Sequence, residues 1–412
     1  MQCELTALPN ELPVILLPMA ETPRAALAIC IRGGISRELQ PGVAKLASRL
    51  LLKGTATRSA EALALELDAR AIELREYALP DCQVLTATFL TRELPAVVEL
   101  LADMLRSSTF DDFDKEREKL FGEINASLDL PADSAQDLLI RTLLDGNPYG
   151  HTGTRVLETL PGLEEAQVRT WFADGMQARA MNITLVGDFS AASVLPLLAE
   201  HFGGIPVEMS PVEIPPFIPL ERDLVVTRPR ADAQQAQIYQ GWYSAPLGSP
   251  AQPALAVMNT VLGAGGLSSR LFVELRDKQG LAYSVRSSYT PLRLTGEFII
   301  SIGTSPENIA RARAGFTEQL TRLQQEPITQ EELLFAKGKL AGTFILAHET
   351  TTQHCLDMAI SQINGMGADY SERLLERMQA VTIADVQAAA QSIVSPSVTA
   401  IVAREDALPE NG

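Results

Sequence analysis

Between Gly42 and Thr55 the chain reads GVAKLASRLLLKGT, an apolar helical pattern interrupted by Lys45, Ser48 and Arg49. Lys45 and Arg49 are spaced i, i+4 and therefore share a helix face. Neither cation offers a lone pair to a metal, and Ser48 is a poor general base. Further on, in EREKLFGE, Glu116 and Glu123 stand seven positions apart. That is nearly two helical turns, so both carboxylates lie on one face. Opposite signs, each pair on one helix face, suggest that Lys45 and Arg49 meet Glu116 and Glu123; the alternative is four ordinary solvated helix charges. A third group lies in LGAGGLSSRLFVELRDKQGLAYSV, Leu262 to Val285, where Arg276 and Tyr283 are also seven apart. A guanidinium offers fixed donors to carbonyl oxygens, and a phenol can donate one bond to a developing oxyanion. Taken alone, an Arg and a Tyr at this spacing carry little information.

Other candidate groups lead nowhere. Gly263, Gly265 and Gly266 are not followed by Gly-Lys-Ser/Thr, so the phosphate-loop pattern fails and a tight turn before the Ser268–Arg276 helix is expected. His348 and His354 are six apart; on one helix the second ring would be turned about 240° from the first, so no metal site is expected there. No serine or cysteine can be paired with any of the four histidines as a nucleophile. Cys3, Cys30, Cys82 and Cys355 are scattered without a C-x-x-C pair, which argues against a disulfide framework or a structural zinc site.

The elements that would position these groups form two halves. A chain of 412 residues exceeds one ordinary core. Prolines 206, 211, 215, 216 and 219 fall within 205–223, too dense for a helix or a central strand, so this stretch reads as an interdomain linker. On either side the order of elements repeats. Val168 and Val386, Ile183 and Ile401, and Asp188 and Asp406 are each 218 positions apart. A small-residue apolar helix comes early in each half, and a charged helix later. The expected fold class is α+β: two homologous αβ halves, 1–204 and 224–412, each a mainly antiparallel sheet with helices packed on one face.

Composition narrows the partners. The net charge is −17, with 18 basic against 30 acidic residues up to Ser210 and 16 against 21 after it. This argues against nucleic acid and anionic membrane surfaces, which need basic patches. The first twenty residues lack a basic start and are broken by Pro13 and Pro18, and no apolar run reaches about 18 residues, so a cytoplasmic protein is expected.

The segment Gly42–Thr55 resembles the signature helix of the insulinase/pitrilysin/mitochondrial processing peptidase family, in which H-x-x-E-H precedes K-G-T. Lys45, Ser48 and Arg49 stand at its three chemical positions. By this resemblance Glu123 takes the slot of the third zinc ligand and Glu116 that of the supporting acid. Leu262–Val285 resembles the family's second-half signature, which implies that Arg276 and Tyr283 hold the substrate backbone and help stabilise its oxyanion. It also implies a possible substrate loop at Gly263, Gly265 and Gly266. Asn147–Gly150 looks like the family's N-P-Y-G turn. A hydrolase of this kind needs two neutral imidazoles and a carboxylate base, so the expectation is a chain inactive alone and without its own metal or other cofactor. The resemblance implies a companion subunit, pairing with a homologous H-x-x-E-H chain that carries the zinc and acting on a peptide held at a sheet edge. The alternative is a homodimer that binds peptides or serves as a scaffold.

Overall fold

The computed structural model describes residues 3–20, 23–207, 219–394 and 396–409. Most of the proline-rich stretch 205–223 therefore lies outside the described residues. Within them, eleven strands build two sheets, and no helix is long and apolar enough to cross a membrane.

The first sheet contains β1 (Glu4–Ala7), β2 (Pro13–Pro18), β3 (Arg24–Arg32), β4 (Glu73–Ala78), β5 (Cys82–Leu90) and β6 (Met181–Gly187), in the order β1-β2-β6-β3-β5-β4. The second contains β7 (Leu224–Pro229), β8 (Ala236–Ser244), β9 (Ala282–Pro291), β10 (Gly296–Thr304) and β11 (Ser397–Ala403), in the order β7-β11-β8-β10-β9. All neighbours are antiparallel except β2–β6 and β7–β11. The duplication is thus written into the topology. β6 and β11, which carry Ile183 and Ile401, each join a parallel neighbour on one side to an antiparallel one on the other, and β4 and β9 occupy equivalent edges.

The compact units are interleaved in sequence. One comprises 1–122, 156–214 and 346–371; the other comprises 123–155, 215–345 and 372–412. Two of the boundaries fall within the helices Phe113–Leu128 and Gln330–Ala347.

This exchange explains why the central strands read as continuous apolar runs: both of their faces are buried. In the first unit, helix Thr351–Ile363 lays Cys355, Met358 and Ala359 on the sheet face formed by Ala26, Ala28 and Cys30. It is fastened there by Asn182, whose Nδ2 donates to the Ala359 carbonyl at 2.9 Å. In the second unit, helix Pro131–Leu143 covers Tyr239, Ile299 and Ala400. Arg228 Nη1 donates to Ser134 Oγ at 2.7 Å, and Asp137, 3.6 Å from Arg228, accepts from the Thr154 amide at 2.8 Å. The opposite face of this sheet, with Trp242, Phe298 and Ile300, packs against Met258, Phe316 and Val386 of the half's own helices.

One carboxyl group of this core has no ion-pair or hydrogen-bond partner among the described residues. Glu297 on β10 lies opposite Tyr243 and Thr290 and is 8% exposed. Burial pushes its carboxyl up to about 7. A folded-state value above the unfolded 4.5 means that the native protein holds this proton more tightly, so stability falls as pH rises from 4.5 through about 7. Glu297→Gln should therefore stabilise the chain at pH 8 by up to ~3 kcal/mol and change little at pH 4. Denaturant unfolding at the two pH values checks this, and an equal effect at both would contradict it.

Candidate functional site

The first cluster is built on helix Val43–Leu50. Its start is capped from upstream: the buried Glu38 carboxylate accepts from the Ala44 amide at 2.6 Å and from the Gly42 amide at 3.3 Å. The helix buries Val43, Leu46 and Leu50, which turns Lys45 and Arg49 to a half-buried face. Ser48 is buried, and its Oγ accepts from Gln83 Nε2 of β5 at 2.8 Å. The chain turns after Leu51, and Gly54, at φ 111°, lets Lys53 fold back. The next residues are pinned by Asp103, which accepts from Thr55 Oγ1 and Thr57 Oγ1 at 2.7 Å each and from Arg58 at 2.8 Å. Burial would raise the Asp103 carboxyl, but these donors and Ser107 outweigh it and hold it at about 2.

Helix Phe113–Leu128 brings Glu116 into this frame at 2% exposure. Arg49 Nε reaches Glu116 Oε2 at 3.1 Å, and Lys53 Nζ reaches Oε1 at 2.9 Å. Burial acts to raise the Glu116 carboxyl, yet the bonds from Lys53 and Arg49 prevail and hold it below the usual glutamate range. Lys45 has no ion-pair partner among the described residues; Lys53 stands in its place. The spacing argument missed this because the helix ends before Lys53. Glu123 is exposed, seven residues along the same helix. The sequence reading also missed Glu76 of β4, half-buried within the electrostatic reach of Arg49, Lys53 and Glu116. Burial raises its carboxyl and the Glu116 charge adds to that, against the two cations.

These residues do not fit a zinc ion. Both Glu116 oxygens are engaged by cations, the Ser48 hydroxyl is bonded to Gln83, and no imidazole stands at Lys45 or Arg49. Among the described residues no group of three or more His, Cys, Asp or Glu side chains is arranged to hold a metal. His348 and His354 depart from the helical spacing in a different way. His348 precedes helix Thr351–Ile363, so the two rings meet with centroids 5.2 Å apart, and His348 Nε2 lies 3.2 Å from Asp357.

The second cluster is assembled from irregular backbone. Thr260–Ala264 and Phe272–Lys278 are π-helical, a rare geometry that is frequent at functional sites. A Cβ on Gly263 would lie 2.3 Å from the Ser287 amide nitrogen, so this glycine lets the first π-turn pack against β9. A Cβ on Gly265 would lie 2.5 Å from the Thr260 carbonyl, and its own carbonyl accepts from Lys339 Nζ at 2.8 Å. Gly266 takes φ +78° at the turn. The second π-turn carries Arg276, half-buried, with its guanidinium carbon 4.4 Å from the Phe272 ring centroid and 4.8 Å from that of Tyr283. Tyr283 occupies a β-bulge: Ser284 pairs with Gly303 and Ala282 with Thr304, leaving it between them. Val285 and Ser287 on the same strand are buried, whereas Tyr283 is 80% exposed, because the bulge re-aims it. The result is a phenol presented to solvent and steadied by a stacked guanidinium.

Comparisons with known proteins agree with this architecture. Residues 14–154 match the family profile described as insulinase (peptidase family M16), and residues 162–340 match the one described as peptidase M16 inactive domain. An uncharacterized zinc protease of Mycobacterium tuberculosis H37Rv is 28% identical over 403 residues, which is 95% of this chain and 90% of that protein. An uncharacterized zinc protease of Bacillus subtilis is 27% identical over 75% of each chain. Among solved structures, a peptidase M16 inactive domain from Pseudomonas fluorescens aligns with a TM-score of 0.89 at 22% identity, covering 98% of both chains. A protease from Helicobacter pylori aligns at 0.90 and 19% identity over 98% of this chain and 99% of that one. At these identities the structural matches speak for the fold.

Proposed function

The chain belongs to peptidase family M16, and on that premise we propose that it is a companion subunit that completes the active site of a zinc-bearing partner. The observation that carries this reading is the contrast between the two clusters. The first has cations and a serine where catalysis needs imidazoles and a base, whereas the second keeps Arg276 stacked on an outward-facing Tyr283. A scaffold has no use for an exposed phenol on a bulge beside a guanidinium; an acyl-transfer site does.

In this reading the partner is a homologous H-x-x-E-H chain. It holds the zinc, whose contribution there is to activate water and polarise the scissile carbonyl. An extended peptide adds as a strand to a sheet edge, and β9, which carries Tyr283, is an edge strand. Arg276 donates to backbone carbonyls of the peptide, and the Tyr283 hydroxyl donates to the oxygen on which charge develops. Mixing the separately purified chains tests this. Hydrolysis of a labelled peptide should require both chains, and full activity of the H-x-x-E-H chain alone would overturn the proposal.

A further inference from the structure

Beside Tyr283 the second unit opens a pocket of about 400 Å³. Its floor is a cross-strand row. Ser301 of β10 is opposite Arg286 of β9 on one side and Tyr239 of β8 on the other, so the three side chains project from the same sheet face. Tyr239 and Ser301 are only 6% and 7% exposed, and among the described residues neither hydroxyl has a hydrogen-bond partner. Both residues line the pocket, so their hydroxyls are open to an acceptor that enters it. Arg286 is exposed and has no ion-pair partner among the described residues. In the next row Gly303 leaves room for a neighbouring side chain: a Cβ there would lie 3.0 Å from Gln237 Nε2. No aspartate or glutamate lines the pocket. An arrangement of one guanidinium, four hydroxyls and two carboxamides, with no competing acid, is a set of donors suited to an anionic acceptor.

We propose that this pocket is a carboxylate-binding subsite for the peptide, taking either an acidic side chain or a C-terminal carboxylate close to Tyr283. The proposal deepens the companion-subunit reading and rests on its premise that the ligand is a peptide. The global field works against it, since a chain of net charge −17 repels acidic peptides. A preference for carboxylate must therefore arise locally, from Arg286 and the Tyr239 and Ser301 hydroxyls.

The test is fluorescence anisotropy on the full chain without its partner. The probes are three labelled decapeptides of one sequence: neutral and C-terminally amidated, neutral with a free C-terminus, and amidated with one internal Glu. One carboxylate peptide should bind about tenfold or more tightly than the neutral twin, and which of the two does so identifies the source of the carboxylate. Arg286→Gln should abolish that preference, bringing the carboxylate peptide to the affinity of its neutral twin, and Tyr239→Phe should reduce it severalfold. Arg286 is exposed, so its substitution leaves the fold intact. Equal binding of all three peptides, or a preference that survives Arg286→Gln, would overturn the subsite, as would failure of every peptide to bind. None of these outcomes touches the companion role, which is judged separately by turnover of the mixed chains.

Discussion

Replacing Tyr283 with phenylalanine should lower kcat of the two-chain complex by roughly a hundred- to a thousandfold, the range expected when one oxyanion donor is lost, with little change in KM. The substitution is unusually clean. Phenylalanine keeps the ring beneath the Arg276 guanidinium, 4.8 Å from its centroid, so only the hydroxyl disappears. At 80% exposure that hydroxyl supports no core packing, so the melting temperature of the chain should not move. Arg276→Lys complements it: lysine keeps the charge but loses the planar fork that binds carbonyls and stacks on both rings. Steady-state kinetics of the reconstituted pair read both variants. Unchanged turnover in Tyr283→Phe would remove the phenol from the chemistry.

Glu116→Ala should have its effect on stability, destabilising the chain by about 3–5 kcal/mol, because it removes the buried carboxylate that Arg49 and Lys53 both bond. Arg49 and Lys53 both bond to a carboxylate that is 2% exposed, and Lys119 Nζ lies 3.8 Å from it. The pH dependence has the opposite sign to that of Glu297. The Glu116 carboxyl is held below 4.5, so its contribution is present above that value and is lost as pH falls through the lower folded-state value. Chemical denaturation at neutral pH measures the loss. A change within 0.5 kcal/mol would mark these as ordinary surface charges.

The α+β class and the duplication were legible because strands and helices advertise themselves by period, and because Ile183 and Ile401 fall at a constant offset within apolar runs. The frame of the first cluster was also visible, since helical spacing puts Arg49 on the face that meets Glu116. What escaped depends on where elements stop. Lys53 replaces Lys45 because the helix ends at Leu50 and Gly54 turns the chain back. His348 meets His354 because a helix begins between them rather than running through both. The exchange of 123–155 and 346–371 leaves only an indirect trace, the apolar character of both faces of strands such as β3. The π-turns and the bulge at Tyr283 have no periodic signature, because they are local departures from the very periods on which sequence reading relies.

The most direct measurement is native mass spectrometry, with zinc analysis, of the tagged chain purified gently from its own host. A one-to-one complex with a homologous H-x-x-E-H chain, carrying one zinc per pair, is the predicted result. A self-dimer free of zinc, with no such chain bound, would contradict the companion role and leave a peptide-binding or scaffolding protein.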